Sequence, residues 1–291
     1  MRILVINGSP KGKNSVTLQT VNYLQILHPE HTFEVLHAGQ QIKALERDFS
    51  PAAQLIEQAM SDTPDVIVLP ETWNTGFFPK QKLESCCDLA GERTSREIGT
   101  LARTFGVNIV AGSVSDLRNG RVCNTAYIFN RSGDCIASYD KTHLFTPMGE
   151  DRFYTPGDHL CGFCLDGVPC GMLICYDIRF PEMARSLALQ GAELLFVVSQ
   201  WPQVRITHLQ SLITSRAIEN QMFTVCCNSC GRANDTVYGG SSMMVDPWGQ
   251  VIAQAGEQEQ LLTGSLDLAQ IQTIRSTINV FHDRRPELYQ L

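Results

Sequence analysis

The sequence predicts a mixed α/β fold, and three observations support that prediction. From residue 65 onward, apolar runs rich in β-branched residues alternate with amphipathic stretches of helical spacing. Turn residues separate several of these runs, and the strongest of these signals is Asp166-Gly167. The chain has 291 residues, of which 43% are hydrophobic and 18% charged, so it can bury a substantial core as one large domain or two small ones.

The first predicted elements alternate between strand and helix. Short apolar runs bounded by polar residues predict strands, and an amphipathic stretch at 95–105 predicts a helix. Turn residues at 130–133 join the last two of these strands, which are therefore expected to pair. The predicted strands lie at 66–69, 107–113, 123–129 and 135–139.

A second series of elements follows a loop rich in Gly, Pro and Asp. Asp166-Gly167 predicts a hairpin between two strands. Pro181 and Glu182 are typical of a helix start, and Gly191 of a helix end. The predicted strands lie at 162–165, 170–175, 194–198, 223–227, 242–245 and 251–255, and the predicted helices lie at 181–189 and 207–221.

The composition excludes several classes of partner. A net charge of −7 and the absence of a basic run argue against nucleic acid or an anionic membrane. No apolar stretch approaches the roughly 20 residues that span a bilayer, and the N-terminus lacks a signal-peptide pattern. We therefore expect a cytoplasmic protein whose partner is a small molecule or another subunit.

The eleven cysteines are expected to be reduced thiols, because disulfide frameworks belong to small secreted domains. Two Cys-x-x-Cys pairs, Cys161/Cys164 and Cys227/Cys230, raise the possibility of a zinc site. The two pairs lie about three times too far apart for a zinc ribbon, and both occur in strand-like sequence where nearby side chains diverge. The sequence therefore predicts no metal.

Three chemically active residues each follow an apolar run. Cys175 ends the run 171–175, Glu71 follows the strand at 66–69, and Lys141 follows the strand at 135–139. Any one of them alone is most often an inert core residue or a solvated charge. Because catalytic groups of α/β folds collect at the carboxyl ends of strands, the three together predict a catalytic set.

The segments around these residues resemble the nitrilase superfamily of carbon–nitrogen hydrolases. The resemblance runs from about residue 52 to the C-terminus. It is closest to the omega-amidase branch, whose members remove ammonia from the terminal amide of 2-oxo acid amides such as 2-oxoglutaramate. The segments are Leu69-Pro-Glu-Thr-Trp-Asn-Thr-Gly76, Asp140-Lys-Thr-His-Leu-Phe145, Gly149-Glu-Asp-Arg-Phe-Tyr-Thr-Pro-Gly157 and Cys175-Tyr-Asp-Ile-Arg-Phe-Pro-Glu182.

The resemblance implies an architecture and a mechanism. The architecture is an α-β-β-α four-layer sandwich, with two facing sheets and helices on the outer faces. Cys175 is implied as the nucleophile, Glu71 as its base, and Lys141 as the cation that stabilises an oxyanion together with the backbone N–H of Tyr176. Glu150 matches a second glutamate that helps to place the lysine and the substrate nitrogen. The family also commonly forms homodimers or larger assemblies, and no cofactor is implied.

The substrate-binding residues follow less directly from the sequence. A 2-oxo acid amide carries a carboxylate remote from the reacting end, so its pocket needs a cation or clustered N–H donors. Arg179 is one candidate, although it is equally consistent with a structural ion pair. Trp73, Tyr176 and Trp201 are candidates for the pocket wall, or they belong to the core.

The N-terminal 50 residues do not resemble the start of a carbon–nitrogen hydrolase. The strand-like residues 3–7, followed by Gly8-Ser9-Pro10, resemble the first strand and phosphate loop of flavodoxin-like NAD(P)H-dependent FMN reductases. We therefore divide the chain into a flavodoxin-like fragment, 1–50, that supplies a strand and a helix, and a hydrolase domain, 51–291. The fragment binds FMN, replaces the usual first strand of the hydrolase, or impairs its activity.

Other functions remain open on sequence alone. A deaminated-glutathione amidase and an N-carbamoyl amino acid hydrolase would use the same catalytic set. An FMN-binding redox protein is the alternative of a different class, and a non-catalytic interaction protein is a third.

Overall fold

The structure is a computed structural model that describes residues 2–6, 49–76, 83–233 and 235–289. Its strands form two large sheets and one small ribbon. The predicted α/β alternation is observed, because helices alternate with strands through most of the chain.

The first sheet has seven strands, in the order β15-β1-β2-β4-β5-β6, with β3 paired to β4. The pairs β1–β2 and β2–β4 are parallel, whereas β4–β5 and β5–β6 are antiparallel. The strands are β1 (Arg2–Ile6), β2 (Val66–Val68), β3 (Asp88–Leu89), β4 (Asn108–Arg118), β5 (Arg121–Phe129), β6 (Cys135–Asp140) and β15 (Leu261–Ser265).

The second sheet has six strands, in the order β14-β13-β10-β9-β8-β7, and β11 pairs with β12 in a separate ribbon. In its centre, β8–β9 and β9–β10 are parallel. The strands are β7 (Cys161–Leu165), β8 (Val168–Ile174), β9 (Leu194–Ser199), β10 (Phe223–Asn228), β11 (Cys230–Ala233), β12 (Thr236–Gly239), β13 (Met243–Val245) and β14 (Val251–Gln254).

The described residues form six α-helices, α1 (Ser50–Ala59), α2 (Leu83–Cys86), α3 (Glu92–Phe105), α4 (Pro181–Leu189), α5 (Ile206–Asn220) and α6 (Gln270–Thr277). Helices α1 and α3 pack on the outer face of the first sheet, and α4 and α5 pack on the outer face of the second. Ile271 of α6 packs into the core between the sheets. Helix α4 has the bounds that the sequence predicts, since Pro181 opens it and Gly191 follows it within two residues.

Alternating side chains of single strands separate the apolar cores. In β2, Val66 and Val68 belong to the core between the sheets, whereas Ile67 packs with α1 and α3. In β9, Phe196 belongs to the core between the sheets, and Val197 packs with α4 and α5. Both faces of the central strands are thus buried, which explains their continuous apolar sequence. The result is the four-layer sandwich implied by the family resemblance.

Strand β1 joins the N-terminal segment to the first sheet. Its backbone pairs in parallel with β2, where Ile3 aligns with Val66, and antiparallel with β15, where Arg2 aligns with Ser265. The expected helix and phosphate loop of the flavodoxin-like fragment lie outside the described residues.

Several elements were not predicted from the sequence. They are α1, α2, α6, β15, the two-residue strand β3 and the ribbon of β11 and β12. The predicted strand 107–113 extends to Arg118, with an irregularity in its pairing to β5 between Val110 and Ser113. The predicted strand 170–175 ends one residue early, at Ile174.

Within the described ranges, no helix is long and apolar enough to cross a membrane. Over the same part of the chain, no group of three or more His, Cys, Asp or Glu side chains could hold a metal ion. All eleven cysteines carry free thiols.

Candidate active site

Cys175 lies at the junction between β8 and a short 3-10 helix, Cys175–Arg179. Its φ is 49°, in the left-handed region that a residue with a Cβ rarely adopts. This conformation costs on the order of 1 kcal/mol. It ends the strand abruptly and brings the half-buried Cys175 side chain to the edge of the sheet.

Asp177 holds this junction in place. Its fully buried carboxylate accepts hydrogen bonds from the backbone N–H groups of Ile174 (3.1 Å) and His143 (2.9 Å). The Tyr139 hydroxyl donates to it at 2.8 Å, and the Thr142 hydroxyl at 3.1 Å. Asp177 therefore ties the turn of the second sheet to the chain that leaves β6 of the first sheet. Sequence reasoning quoted the segment but gave Asp177 no role.

Glu71 follows β2 on a loop that β4 holds closely. Ser113 binds the loop three times: its N–H donates to the Pro70 carbonyl (3.1 Å), its hydroxyl accepts from the Thr72 N–H (2.9 Å), and its carbonyl accepts from the Trp73 N–H (3.2 Å). Gly112 makes this approach possible. Its φ is +61°, and a Cβ there would lie 2.0 Å from the Pro70 carbonyl oxygen.

Lys141 comes directly after β6 and lies between two carboxylates. Its Nζ is 3.0 Å from Glu71 Oε1 and 2.9 Å from Glu150 Oε2. The side chains of the three residues are at most 5% exposed. Glu150 is held in turn by the Phe145 N–H, which donates to its Oε2 at 2.6 Å. The structure thus brings three of the four predicted catalytic residues together in one buried ionic cluster.

Two amide side chains complete the surroundings of Glu71. Asn124, on β5, donates from Nδ2 to Glu71 Oε1 at 2.9 Å. Gln200, just after β9, donates from its backbone N–H to Glu71 Oε2 at 2.7 Å and from Nε2 to the Glu71 carbonyl at 2.8 Å. Sequence reasoning missed both residues, because an amide after an apolar run carries no chemical signal by itself.

The charges around Cys175 shift its proton affinity. Burial raises the pKa of the Cys175 thiol well above its ordinary value of 9.0, and the Glu71 carboxylate adds to this, against the opposing effect of Lys141. Burial lowers the pKa of Lys141, but the negative charges of Glu71 and its neighbours outweigh it and hold that pKa well above 10.5. Burial also raises the pKa of Glu150, although Lys141 opposes the rise. The resting site therefore holds a neutral thiol beside a charged ammonium.

A cavity of about 400 Å³, including the space at its open mouth, joins these groups. The four predicted catalytic residues line it, as do the predicted substrate-binding residues Tyr176, Arg179 and Trp201. The remaining lining residues are Phe145, Met148, Gln200, Pro202 and Arg205.

Two arginines lie along this cavity. The guanidinium of Arg179 stacks 4.8 Å from the Trp201 ring, and its Nη2 lies 3.2 Å from His208 Nδ1. No carboxylate of the described residues forms an ion pair with Arg179. Arg205, which sequence reasoning missed, stacks 5.2 Å from the Phe145 ring. Both guanidinium groups therefore place positive charge on the cavity wall.

Trp73 is not among the residues that line the cavity. It is 6% exposed, packs edge-on against Phe49 at 4.6 Å, and donates from Nε1 to the Ala111 carbonyl at 2.7 Å. Of the two roles that the sequence left open for Trp73, the structure places it in the core beneath the first sheet.

This arrangement can perform nucleophilic chemistry without an added cofactor. A thiol, a carboxylate and an ammonium meet in one cavity, and the backbone N–H of Gln200 favours the thiolate form of Cys175. Such a set can form a covalent acyl intermediate and then hydrolyse it.

Comparison with known proteins agrees with this reading. The family model of carbon–nitrogen hydrolases matches residues 37–276. The 2-oxoglutaramate amidase of Bacillus subtilis (strain 168) is 40% identical over 237 residues, which cover 81% of this chain and 91% of that protein. The omega-amidase NIT2 of Homo sapiens is 31% identical over 264 residues, which cover 86% of this chain and 94% of that protein.

A solved structure shows the same fold. Nit3 of Saccharomyces cerevisiae, a member of branch 10 of the nitrilase superfamily, matches with a TM-score of 0.79 and 25% identity. The match covers 98% of this chain and 96% of that one. These findings confirm the predicted fold class and the family resemblance. The chain belongs to the carbon–nitrogen hydrolase family, in the omega-amidase-like branch of the nitrilase superfamily.

Proposed function

We propose that this enzyme hydrolyses the terminal amide of a small 2-oxo acid amide, such as 2-oxoglutaramate, to a carboxylate and ammonia. The observation that carries the proposal is the meeting of Glu71, Lys141, Glu150 and Cys175 in one cavity. The two relatives described above, one of them a 2-oxoglutaramate amidase, support the choice of substrate.

In the first half-reaction, Glu71 takes the thiol proton of Cys175 as sulfur attacks the amide carbon. Loss of that proton to water would add a negative charge beside two carboxylates, whereas transfer to Glu71 leaves the net charge of the site unchanged. The raised pKa of Cys175 therefore fits proton transfer at the moment of attack.

The tetrahedral intermediate carries an oxyanion, which the Lys141 ammonium and the Tyr176 backbone N–H stabilise. A donor placed in advance in this way contributes about 2.7–4 kcal/mol. Glu71 then protonates the departing nitrogen, and ammonia leaves a thioester on Cys175. In the second half-reaction Glu71 removes a proton from water, which hydrolyses the thioester.

The cavity also suits the carboxylate of the proposed substrate. Arg179 and Arg205 line it together with the catalytic residues, and each guanidinium stacks on an aromatic ring. Stacking keeps the planar donor groups oriented while leaving their edges available for a carboxylate. We assign the two arginines to the end of the substrate that does not react.

The test is ammonia release from 2-oxoglutaramate, measured beside succinamate, deaminated glutathione and an N-carbamoyl amino acid. We expect the 2-oxo acid amide to be the best substrate, and Cys175→Ala to lower turnover by a factor on the order of 10⁵ or more. Cys164→Ala is the matched control, because that thiol is exposed on β7 and should retain activity. Activity of Cys175→Ala equal to wild type would contradict the mechanism, and a preference for another amide would contradict the substrate.

Assembly and location form part of the same proposal. A groove between α4 and the C-terminal part of the described chain is lined half by apolar residues, among them Val280 and Tyr289, and half by charged residues. Ile278, Leu288 and Tyr289 are each about half exposed or more. We assign this face to a second copy of the chain, so light scattering should give a dimer or larger assembly that Leu288→Asp weakens.

The free thiols suit the cytoplasm, where fractionation should find the protein.

A further inference from the structure

Gln200 is the buried residue of the cavity wall that the mechanism above does not use. It follows β9 directly, is 8% exposed, and lines the cavity beside Cys175 and Glu71. Its backbone N–H donates to Glu71 Oε2 at 2.7 Å and also lowers the proton affinity of the Cys175 thiol. The residue therefore lies at the reacting groups.

The contacts of Gln200 fix the orientation of its side-chain amide. Nε2 is 2.8 Å from the main-chain carbonyl oxygen of Glu71. A carbonyl oxygen only accepts hydrogen bonds, so the amide nitrogen must face it and Oε1 must point away. The side chain thus presents one remaining group, a hydrogen-bond acceptor.

Oε1 is enclosed, and no donor among the described residues reaches it. Buried polar atoms without a partner are uncommon in folded proteins because they lose their hydration without compensation. At a site that binds ligands, such an acceptor indicates a ligand group with an N–H or O–H to donate.

The proposed reaction supplies such a group. The nitrogen of a primary amide carries two N–H donors, and it keeps them as the C–N bond breaks. At that step the bonding electron pair moves to nitrogen, Glu71 gives it a proton, and the oxyanion re-forms the carbonyl of the Cys175 thioester. The nitrogen must therefore lie near Glu71, to which Gln200 is bound twice.

We propose that Gln200 Oε1 accepts a hydrogen bond from the nitrogen of the scissile amide and from the departing ammonia. This contact orients the nitrogen lone pair toward Glu71 and selects an amine-type leaving group over an alcohol. The inference rests on the proposed amidase function, but it does not depend on which amide is the natural substrate.

The experiment compares two leaving groups on the same acyl group, a primary amide and its methyl ester. In both reactions the Cys175 sulfur attacks the carbonyl carbon, Glu71 takes the thiol proton and returns it to the leaving atom, and the same thioester forms as ammonia or methanol departs. The amide nitrogen carries two N–H donors, whereas the ester oxygen carries no hydrogen until Glu71 protonates it. The ratio of kcat/KM for the amide to kcat/KM for the ester therefore cancels the amount of folded enzyme and the steps that the two substrates share. A merely structural role for Gln200 would lower both values and leave this ratio unchanged.

Two variants separate the acceptor from the donor of Gln200. Gln200→Met keeps the length of the side chain and removes both polar groups, whereas Gln200→Glu keeps an acceptor oxygen and removes the donor. We expect Gln200→Met to lower the amide-to-ester ratio about tenfold, the factor that corresponds to one lost hydrogen bond. We expect Gln200→Glu to stay within about twofold of wild type.

An unchanged ratio in Gln200→Met would overturn the inference, as would an equal fall in both variants. The assay is run on whichever amide of the test panel wild type hydrolyses fastest. A preference for an amide other than 2-oxoglutaramate therefore contradicts the proposed substrate without affecting the Gln200 test. A folded wild type that acts on no amide would overturn both.

Discussion

The two sheets contribute differently to the candidate active site. The first sheet supplies charge, because Glu71 follows β2 and Lys141 follows β6, and the two form a buried ion pair with Glu150. The second sheet supplies neutral groups, because Cys175 follows β8 and Gln200 follows β9. Ion pairs hold the charged groups of the first sheet in place, whereas backbone geometry and a hydrogen bond to Asp177 position the thiol of the second sheet. We call these two sets of groups the first side and the second side of the site.

This difference predicts two kinds of failure. Changes on the first side leave buried charges uncompensated, so they reduce stability as well as turnover. Changes on the second side alter alignment, so they reduce turnover with a smaller effect on stability.

Lys141→Met should have the largest combined effect. It leaves Glu71 and Glu150 as neighbouring buried carboxylates, and we expect a loss of about 3–5 kcal/mol in the free energy of unfolding. Loss of an oxyanion donor should also lower kcat by about 10²–10³. Denaturant titration and steady-state kinetics measure the two effects.

The double variant Lys141→Met/Glu150→Gln sharpens this prediction. Removing one of the two carboxylates should restore part of the stability and none of the activity. If the double variant is no more stable than Lys141→Met alone, the ion pairs of Lys141 do not stabilise the first side of the site.

Asp177→Asn tests the second side. The amide replaces one acceptor oxygen of a group that receives four or more hydrogen bonds, so we expect kcat to fall about 10- to 100-fold and stability by about 1–3 kcal/mol. Asp158→Asn is the matched control, since that side chain is 97% exposed. A stability loss as large as that of Lys141→Met would remove the distinction between the two sides.

Arg179→Ala tests the mouth of the cavity, outside both sides. We expect KM for 2-oxoglutaramate to rise about tenfold with little change in kcat, because one charge-assisted contact to the substrate is lost. Activity on a neutral primary amide should not change, and the exposed Arg121→Ala serves as control. An unchanged KM for 2-oxoglutaramate would exclude Arg179 as the anchor.

The smallest expected effect concerns the resting thiol. Since the pKa of Cys175 is raised, the thiolate absorbance of wild type minus that of Cys175→Ala should stay near zero through neutral pH. The raised pKa of Cys175 also predicts how stability depends on pH, because the unfolded thiol ionises near its ordinary pKa of 9.0 and the folded thiol does not. The contribution of Cys175 to the free energy of unfolding is therefore present below pH 9.0 and is lost as the pH rises above it. A thiolate signal at neutral pH would mean that Cys175 is charged in the resting site, so that both sheets supply charge.

Much of the fold was predictable because its central strands are apolar on both faces and its turns use strong signals. The hairpin at Asp166-Gly167 and helix α4 are examples. Strand β15 was not predictable, because Leu261-Leu-Thr-Gly-Ser265 includes glycine and polar residues and has little strand propensity. Its place in the sheet comes from pairing with β1 at the opposite end of the chain.

The candidate site was easiest to propose where chemistry marks a residue. A Glu, a Lys or a Cys just after an apolar run is conspicuous, so the sequence selected Glu71, Lys141 and Cys175, which line one cavity in the structure. Gln200 and Asp177 act through contacts that only the packed sheets create, and Trp73 was ambiguous because an indole suits a pocket wall and a core equally well.

The bond from the Gln200 N–H to Glu71 joins residues 129 positions apart in the sequence. Contacts of such long range form late in folding, because a large loop must close before they contribute. The two halves of the candidate active site thus exist together only after the sheets have docked. Recovery of amidase activity during refolding should therefore lag behind the recovery of secondary structure, and its rate should report the docking of the two sheets.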